Sequence, residues 1–395
     1  MSSPLFDVVV GGGSVAGLSF ATEAASKGLS VIVLEEDRQI GEPERCDGLV
    51  SKRALDRYIR PAPSCIQSRV GIGTIHSPSG RSVSLDASGL DVVVLDRSAY
   101  EEQISAAAIS NGALVRTGLR VTGVSTQGES VRVAVAASAT GSSSVEYACS
   151  YYVDATGPSG MMGRNRSALI PAAKYEVEGD WFVDGEVQVY LDQEKYPEFF
   201  AWVIPRGDGI AKVGVAGMGI NSFKTLDSFL EGRPCKVRSR VAAPLYVGGP
   251  VAEFSAGRIV YVGESAGQVK PTTAGGILGS VAGGLMSARR IAEAMQEGEP
   301  TLLANYQRDW EQRFGKEFRL MSRLRHLYKH LSNEDLDRIV SALSSPSVVA
   351  RLSSSDFDFH GSALLAALGP RRTLQLSGVL LSAQAKQALA SLAQQ

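Results

Sequence analysis

The chain opens on a short apolar run, Phe6-Asp-Val-Val-Val10, whose β-branched residues do not alternate with polar ones. That pattern predicts a strand buried on both faces, as in a parallel sheet. A glycine-rich turn from Gly11 to Gly17 follows, then an apolar-periodic stretch from Leu18 to Lys27 that predicts a helix stopped at Gly28. Leu29 to Leu34 is a second strand-like run with Glu35 at its carboxyl end. The same sequence of run, turn and helix returns later in the chain. Val92 to Leu95 leads into a helix predicted over Ser98 to Ser110, closed by Asn111-Gly112. Tyr151 to Asp154 runs into a turn that reaches Gly160, and Arg258 to Val262 runs into Gly263-Glu-Ser-Ala-Gly267, after which Thr273 to Gly279 opens a long helix. Trp181 to Pro205 alternates only in part and is rich in aromatic and branched residues, the pattern of an antiparallel sheet.

These elements predict an α/β fold: a discontinuous Rossmann-like dinucleotide-binding domain from roughly 1–75, 90–165 and 255–300, with an antiparallel-sheet substrate domain from 72–90 and 166–254. Ile72 to Leu90 reads as a hairpin and Ala137 to Ser144 as an exposed hairpin tip. Residues 301–395 read as a helical C-terminal region, broken near Ser344-Ser-Pro346, Ser353 to Ser355 and Gly369-Pro370. The first forty residues carry the chemistry of such a domain. Glycines let a backbone approach a pyrophosphate at a helix N-terminus, and an acid at the end of the second strand accepts from ribose hydroxyls. The turn has two registers: G-x-G-x-x-A from Gly11, or G-x-S-x-x-G from Gly12. The second is preferred, because it puts Gly17 where helix and strand must touch and the small Ser14 near phosphate. Glu35 favours an adenosine with a free 2′-hydroxyl, FAD or NAD, over NADP.

Composition narrows the class. Lys+Arg (40) and Asp+Glu (41) nearly cancel, which argues against a nucleic-acid partner held by phosphate contacts. The four cysteines are scattered, and His326 and His330 lack the Glu of an H-E-x-x-H motif, so no metal site is expected. The scattered cysteines, with no C-x-x-C pair, predict a reducing, cytoplasmic chain, and an N-terminus without a basic region or cleavable apolar stretch gives no expectation of a secretory segment. The uncharged run Pro271 to Ala288 carries five glycines and is read as a closely packed helix of the fold, not a membrane span; peripheral contact with a membrane stays open. The 42 glycines are about fourteen more than a ~7% norm would give, and the reading here is that they make room for a dinucleotide.

The order of elements resembles the flavoprotein hydroxylase superfamily. The combination of Gly41-Glu-Pro-Glu-Arg-Cys-Asp-Gly-Leu49, Leu95-Asp-Arg97, Trp202-Val-Ile-Pro205 and Gly263-Glu-Ser-Ala-Gly267 with Pro271-Thr-Thr-Ala-Gly-Gly-Ile277 is similar to the geranylgeranyl reductase family, in particular to archaeal enzymes that saturate the prenyl chains of ether lipids. The likeness runs from about Asp7 to about Arg325. It implies FAD as cofactor, with Gly12, Ser14, Ala16 and Gly17 at the pyrophosphate, Glu35 at the adenosine ribose and Val121 at adenine. Arg45, Cys46 and Gly48 would line the flavin side, Arg97 would meet polar groups of the cofactor, and Gly275, Gly276 and Ile277 would face the pyrimidine end of the ring. Glu264, at the ribityl-phosphate region, stands where the family more usually has Asp, and Ser14 where it has glycine.

The implied reaction reduces an unpolarised double bond by hydride transfer and protonation, which calls for a dry apolar cavity. The segment Trp181 to Pro205 is its candidate wall, with Phe200, Trp202 and Pro205 as substrate contacts; the plain alternative is an ordinary sheet core. Cys46 is the candidate catalytic residue, as proton donor or gate, with Arg45 beside it to favour thiolate; the alternative is a buried small hydrophobe. The basic stretch Arg313 to Lys329 reads either as a solvated helix face or as a surface that meets lipid headgroups or a substrate phosphate. Implied partners are an isoprenoid lipid and an electron donor, reduced ferredoxin or NAD(P)H; a monomer is consistent with the chain. The rival readings are an aromatic or polyketide monooxygenase on the same fold and a non-catalytic prenyl-lipid-binding flavoprotein.

Overall fold

The computed structural model describes residues 6–138, 145–159, 166–354, 356–359 and 361–362. Most of the expected hairpin tip, Gly160, Gly163, His360 and the expected helical stretch past residue 362, with its break at Gly369-Pro370, lie outside the described residues. Strand Phe6–Gly11 is central. It pairs in parallel with Val31–Leu34 on one side and with Val145–Asp154 on the other. Leu114–Arg116 and Ile259–Tyr261 extend the sheet outward on the two sides, also in parallel. Val8, Val9 and Val10 are wholly buried, because both faces of the sheet are covered. Val8 and Val10 pack with Leu18, Phe20, Ile104 and Val281 on the helical side. Val9, Ile32 and Leu34 pack with Val131, Val133 and Val135 of an antiparallel meander, Leu119–Gln127 and Ser130–Ala137, on the other. Double burial is the reason these strands read as continuous apolar runs.

The crossover helix is Val15–Ser26, starting three residues before the expected Leu18. Ser14 takes the N-cap position, and its carbonyl accepts from Leu18 N at 2.9 Å. The second strand starts at Val31, not Leu29, because the two residues before it are spent elsewhere. Leu29 N donates to Ala24 O, and Ser30 bonds Asp7 Oδ2 through both its N–H and its hydroxyl.

A second, seven-stranded sheet runs in the order Cys235–Ala242, Ala172–Gly179, Ile210–Ala216, Phe200–Gly207, Glu186–Leu191, Ile72–His76, Ser82–Asp86. Its pairs are antiparallel except Glu186–Leu191 with Ile72–His76. The Ile72–Leu90 hairpin thus forms one edge of this sheet. A three-stranded sheet of Leu49–Ser51, Val92–Leu95 and Ile66–Arg69 joins the two larger units, and Ser68 Oγ reaches Pro205 O at 2.9 Å. Helices Lys316–Tyr328, Asn333–Leu343 and Pro346–Ser353 follow a π-turn at Glu311–Gly315. Among the described residues no helix is long and apolar enough to cross a membrane.

The long helix Ile277–Glu297 corrects the reading of the glycine excess. A Cβ on Gly284 would stand 2.4 Å from Ala16 O of the crossover helix, one on Gly283 2.0 Å from Gln268 Oε1, and one on Gly279 2.6 Å from Gln268 O. These glycines let protein approach protein, so only part of the excess is available to a ligand. Gly284→Val is therefore expected to overpack the helix pair and cost about 1–3 kcal/mol, read as a lower urea midpoint at unchanged slope.

Candidate active site

The N-terminal turn is built by close approach. Gly12 has φ +103, and a Cβ there would lie 2.3 Å from Ala155 O. Gly17 has no room either: its Cβ would meet Gly12 O at 2.1 Å. Ala16 does carry a Cβ, which packs toward Gly263, and the Ser14 side chain is exposed and makes no capping bond. Glu35 folds back on the turn, accepting from Gly13 N at 2.6 Å and from Asp37 N at 2.8 Å. Burial pushes its carboxyl above the usual range, and these two donors offset part of the rise. Leu119 N donates to Glu35 O at 2.8 Å, which brings half-buried Val121 to the same edge of the sheet.

The segment from Gly41 to Gly48 lies against Leu95 to Ser98. A Cβ on Gly48 would stand 2.2 Å from Leu95 O, and one on Gly41 2.5 Å from Ser98 Cα. Two lysines from the seven-stranded sheet hold this segment from above. Lys212, 1% exposed, places Nζ 2.8 Å from Glu44 Oε1 and 3.3 Å from Asp47 O. Lys174 Nζ donates to Glu44 O at 2.7 Å and to Cys46 O at 3.0 Å. Burial raises the Asp47 carboxyl above its ordinary value, and the two ammonium groups offset only part of the rise.

Arg45 turns outward and pairs with Asp37 at 2.9 Å; an exposed guanidinium takes the nearest carboxylate. The cation that interacts with the half-buried Cys46 is Arg97. Arg97 is buried and paired with the equally buried Glu101, whose Oε1 also accepts from Val15 N at 3.2 Å. Burial alone would make Arg97 easier to deprotonate, but Glu101 and Cys46 outweigh it and raise its pKa above the ordinary value. Among the described residues, Arg97 Nε has no hydrogen-bond partner.

Glu264 sits in the turn Gly263–Ala266, half-buried, accepting from Tyr246 N at 3.3 Å. Burial pushes its carboxyl up to about 7. Gly276 caps the helix that starts at Ile277, and a Cβ on Gly275 would meet Lys270 Cε at 2.7 Å. Lys270 pairs with Asp358 at 2.9 Å, both buried. On the sheet, Trp202 is buried against Gly214, and its indole interacts with the Asp47 carboxylate. Phe200 stacks on Phe199 at 4.1 Å, whereas Pro205, expected beside them, is buried on the opposite face of the same strand, in phase with Ala201 and Val203. Phe199, Phe200, Trp202 and Ile204 share one apolar cluster with Val247 and Ala274. The structure thus joins Cys46 to Arg97 and Phe200 to Trp202, whereas Arg45 faces the Glu35 end.

Lys174, Lys212, Glu101 and Asp358 were not singled out from the sequence. The two lysines do leave a signal, a lone cation inside the apolar runs Ala172-Ala-Lys-Tyr175 and Ile210-Ala-Lys-Val213. Asp358 leaves none, being 88 residues from Lys270.

The parallel unit with its glycine turn, the antiparallel sheet over it and the joining segment at Gly41 to Gly48 define the fold of flavin-dependent oxidoreductases. A geranylgeranyl bacteriochlorophyll reductase-like protein of Thermoplasma acidophilum superposes with a TM-score of 0.83 at 23% identity, over 95% of this chain and 99% of that one. An anhydrotetracycline hydroxylase of Streptomyces rimosus superposes with a TM-score of 0.65 at 17% identity, over 90% of this chain and 76% of that one. No family model matches the chain. A digeranylgeranylglycerophospholipid reductase of Methanopyrus kandleri is 31% identical over 372 residues, 86% of this chain and 94% of that protein. One of Methanothrix thermoacetophila is 29% identical over 362 residues, 87% of this chain and 92% of that protein. The chain belongs to the digeranylgeranylglycerophospholipid reductase family.

The Glu264 carboxyl gives a pH dependence of known sign. The folded state keeps its proton up to about pH 7, while the unfolded chain releases it near 4.5. Its contribution to stability is full below 4.5 and is lost as pH rises through about 7. In Glu264→Gln that part of the slope is expected to vanish; denaturant midpoints at pH 5 and pH 8 measure it.

Proposed function

We propose that this chain is an FAD-dependent reductase that saturates prenyl double bonds of isoprenoid ether lipids. The observation that carries the reading is the seam at Cys46. There a thiol backed by the buried Arg97–Glu101 pair sits on a segment held by lysines of the sheet that bears the apolar Phe200–Trp202 cluster. A non-polar double bond needs a dry wall and one proton source, and this seam offers both.

The residues fit the cofactor. Arg97 Nε is a buried donor without an acceptor among the described residues, suited to a polar edge of a flavin. Gly12, Ser14, Ala16 and Gly17 would take the pyrophosphate, Glu35 the ribose, Val121 the adenine, Glu264 the ribityl region, and Gly275, Gly276 and Ile277 the pyrimidine end. Arg45 and Gly48 belong to the segment along its flavin side. Bound and reduced, FAD supplies the hydride.

The chain supplies the rest. Phe200 and Trp202 form the wall that excludes water and orients the prenyl chain, while Pro205, out of phase with them in the strand, faces the other side of the sheet. Cys46 gives the proton to the carbon next to the one that receives hydride. Arg97, held in place by Glu101, stands beside the sulfur, and solvent returns the proton after the transfer. Because a guanidinium does not give up its own proton, Arg97 acts as a fixed charge and not as the acid.

The test is anaerobic. The flavin is reduced, a geranylgeranyl lipid is added, and flavin reoxidation is followed together with substrate mass. Gain of hydrogen pairs is expected; reoxidation without a mass change sinks the proposal. Cys46→Ser is expected to lower turnover by about 10²-fold or more with flavin content unchanged, the usual weight of a positioned acid. Full turnover in that variant removes Cys46 from the chemistry.

A further inference from the structure

Helix Lys316–Tyr328 and the residue after it place Ser322, Arg325, His326 and Lys329 on one face, at spacings of three, four and seven. These side chains line a cavity of about 170 Å³ with Ser167, Ala168, Val247 and Gly248. Arg325 is 5% exposed, which is unusual for the middle of a basic stretch. Its Nη1 donates to Glu198 O at 2.7 Å. Its Nη2 makes no hydrogen bond among the described residues and is only 3.5 Å from Glu198 Oε2. Lys329 Nζ stands 3.0 Å from the same oxygen. One carboxylate therefore answers two cations, so the three groups together carry one net positive charge beside the cavity. Glu198 itself holds a left-handed backbone, φ +65, in a turn fastened to the helix by Tyr328 OH on Phe199 O at 2.7 Å.

Ala168 and Val247 give the other wall an apolar part. Val247 belongs to the cluster that contains Phe199, Trp202 and Ile204, with Phe200 and Ala274 packed against it. Through Val247 the cationic cavity thus borders the buried aromatic cluster. A molecule that satisfies both has a long hydrocarbon and one compact anion, and the geometry of a guanidinium beside an ammonium suits phosphate.

We propose that this cavity receives the phosphate of the lipid substrate, with Arg325 and Lys329 as its charged contacts and Ser322 and His326 as polar ones. The proposal rests on the prenyl-lipid reading above. It makes Arg325 and Lys329 specificity residues that set which end of the lipid enters first.

The test compares a geranylgeranyl lipid bearing a phosphate with the same chain ending in an alcohol. Lys329→Gln is expected to raise the ratio of the two KM values, phosphate over alcohol, about tenfold with kcat on the phosphate lipid within twofold. Arg325→Lys keeps the charge but loses the planar fork, and the same ratio is expected to rise with it by a smaller factor. An unchanged ratio in both variants overturns the proposal, as does an equal KM rise for both lipids, the mark of a merely structural role. Wild-type protein that reduces neither lipid fails the functional reading, and calorimetric titration then decides the cavity by itself. Glycerol phosphate binding to wild type and at least tenfold weaker binding to Lys329→Gln supports a phosphate site; equal binding, or none, overturns it. Inorganic phosphate titrated alone separates the sources: binding as tight as glycerol phosphate assigns the cavity to free phosphate and overturns the headgroup.

Discussion

Lys212 carries its ammonium into the interior and meets Glu44 at 2.8 Å, with the Asp47 carbonyl as a second acceptor. Burying a charge is tolerated only when partners surround it, so this lysine dictates where the segment from Gly41 to Gly48 must lie. Lys174 repeats the demand one strand away by taking the carbonyls of Glu44 and Cys46. The two lysines tie the antiparallel sheet to a segment that is otherwise loop. Without them the segment would have few reasons to hold Cys46 in one place, and the aromatic face would have no fixed distance from it.

The same segment is held from below by steric fit. Gly48 and Gly41 sit where any Cβ would strike Leu95 and Ser98, and Asp96 then caps the helix that places Arg97. Arg97 in turn meets Cys46 and Glu101, and Glu101 accepts from the first turn of the crossover helix. A chain of polar contacts thus runs from the sheet lysines to the glycine turn, through three elements distant in sequence. Buried polar networks of this kind are costly unless complete, and in this one Arg97 Nε has no partner among the described residues.

Much of the nucleotide-type unit was legible because its signals are local. Val8 to Val10 and Val92 to Leu95 announce buried strands, and Gly12 and Gly17 announce a backbone that must come close. The motif at Gly41 to Leu49 and Cys46 within it were readable by likeness to a family. The partner of Cys46 was not: chain proximity suggested Arg45, but Arg45 is exposed and reaches Asp37, while Arg97 arrives through the fold. Gly279 and Gly283, read as glycines of a closely packed helix, do serve packing, and with Gly284 they narrow the share of the glycine excess that a dinucleotide could use, since a missing Cβ does not say what fills the space.

By itself, then, the amino-acid sequence determined the elements whose cause lies within a few residues: the buried strands, the glycine turn, the acid at Glu35 and the alternation of apolar runs with helices. Tertiary structure decided which charges meet. Lys212 finds Glu44 across 168 positions and Lys270 finds Asp358 across 88. Arg325 is buried beside Glu198 in a helix whose other cations, among them Lys329, are exposed to water. The physical reason is that strand and turn propensities act through the local backbone. The placement of a charge, by contrast, is settled by the partners that surround it once the chain has closed on itself.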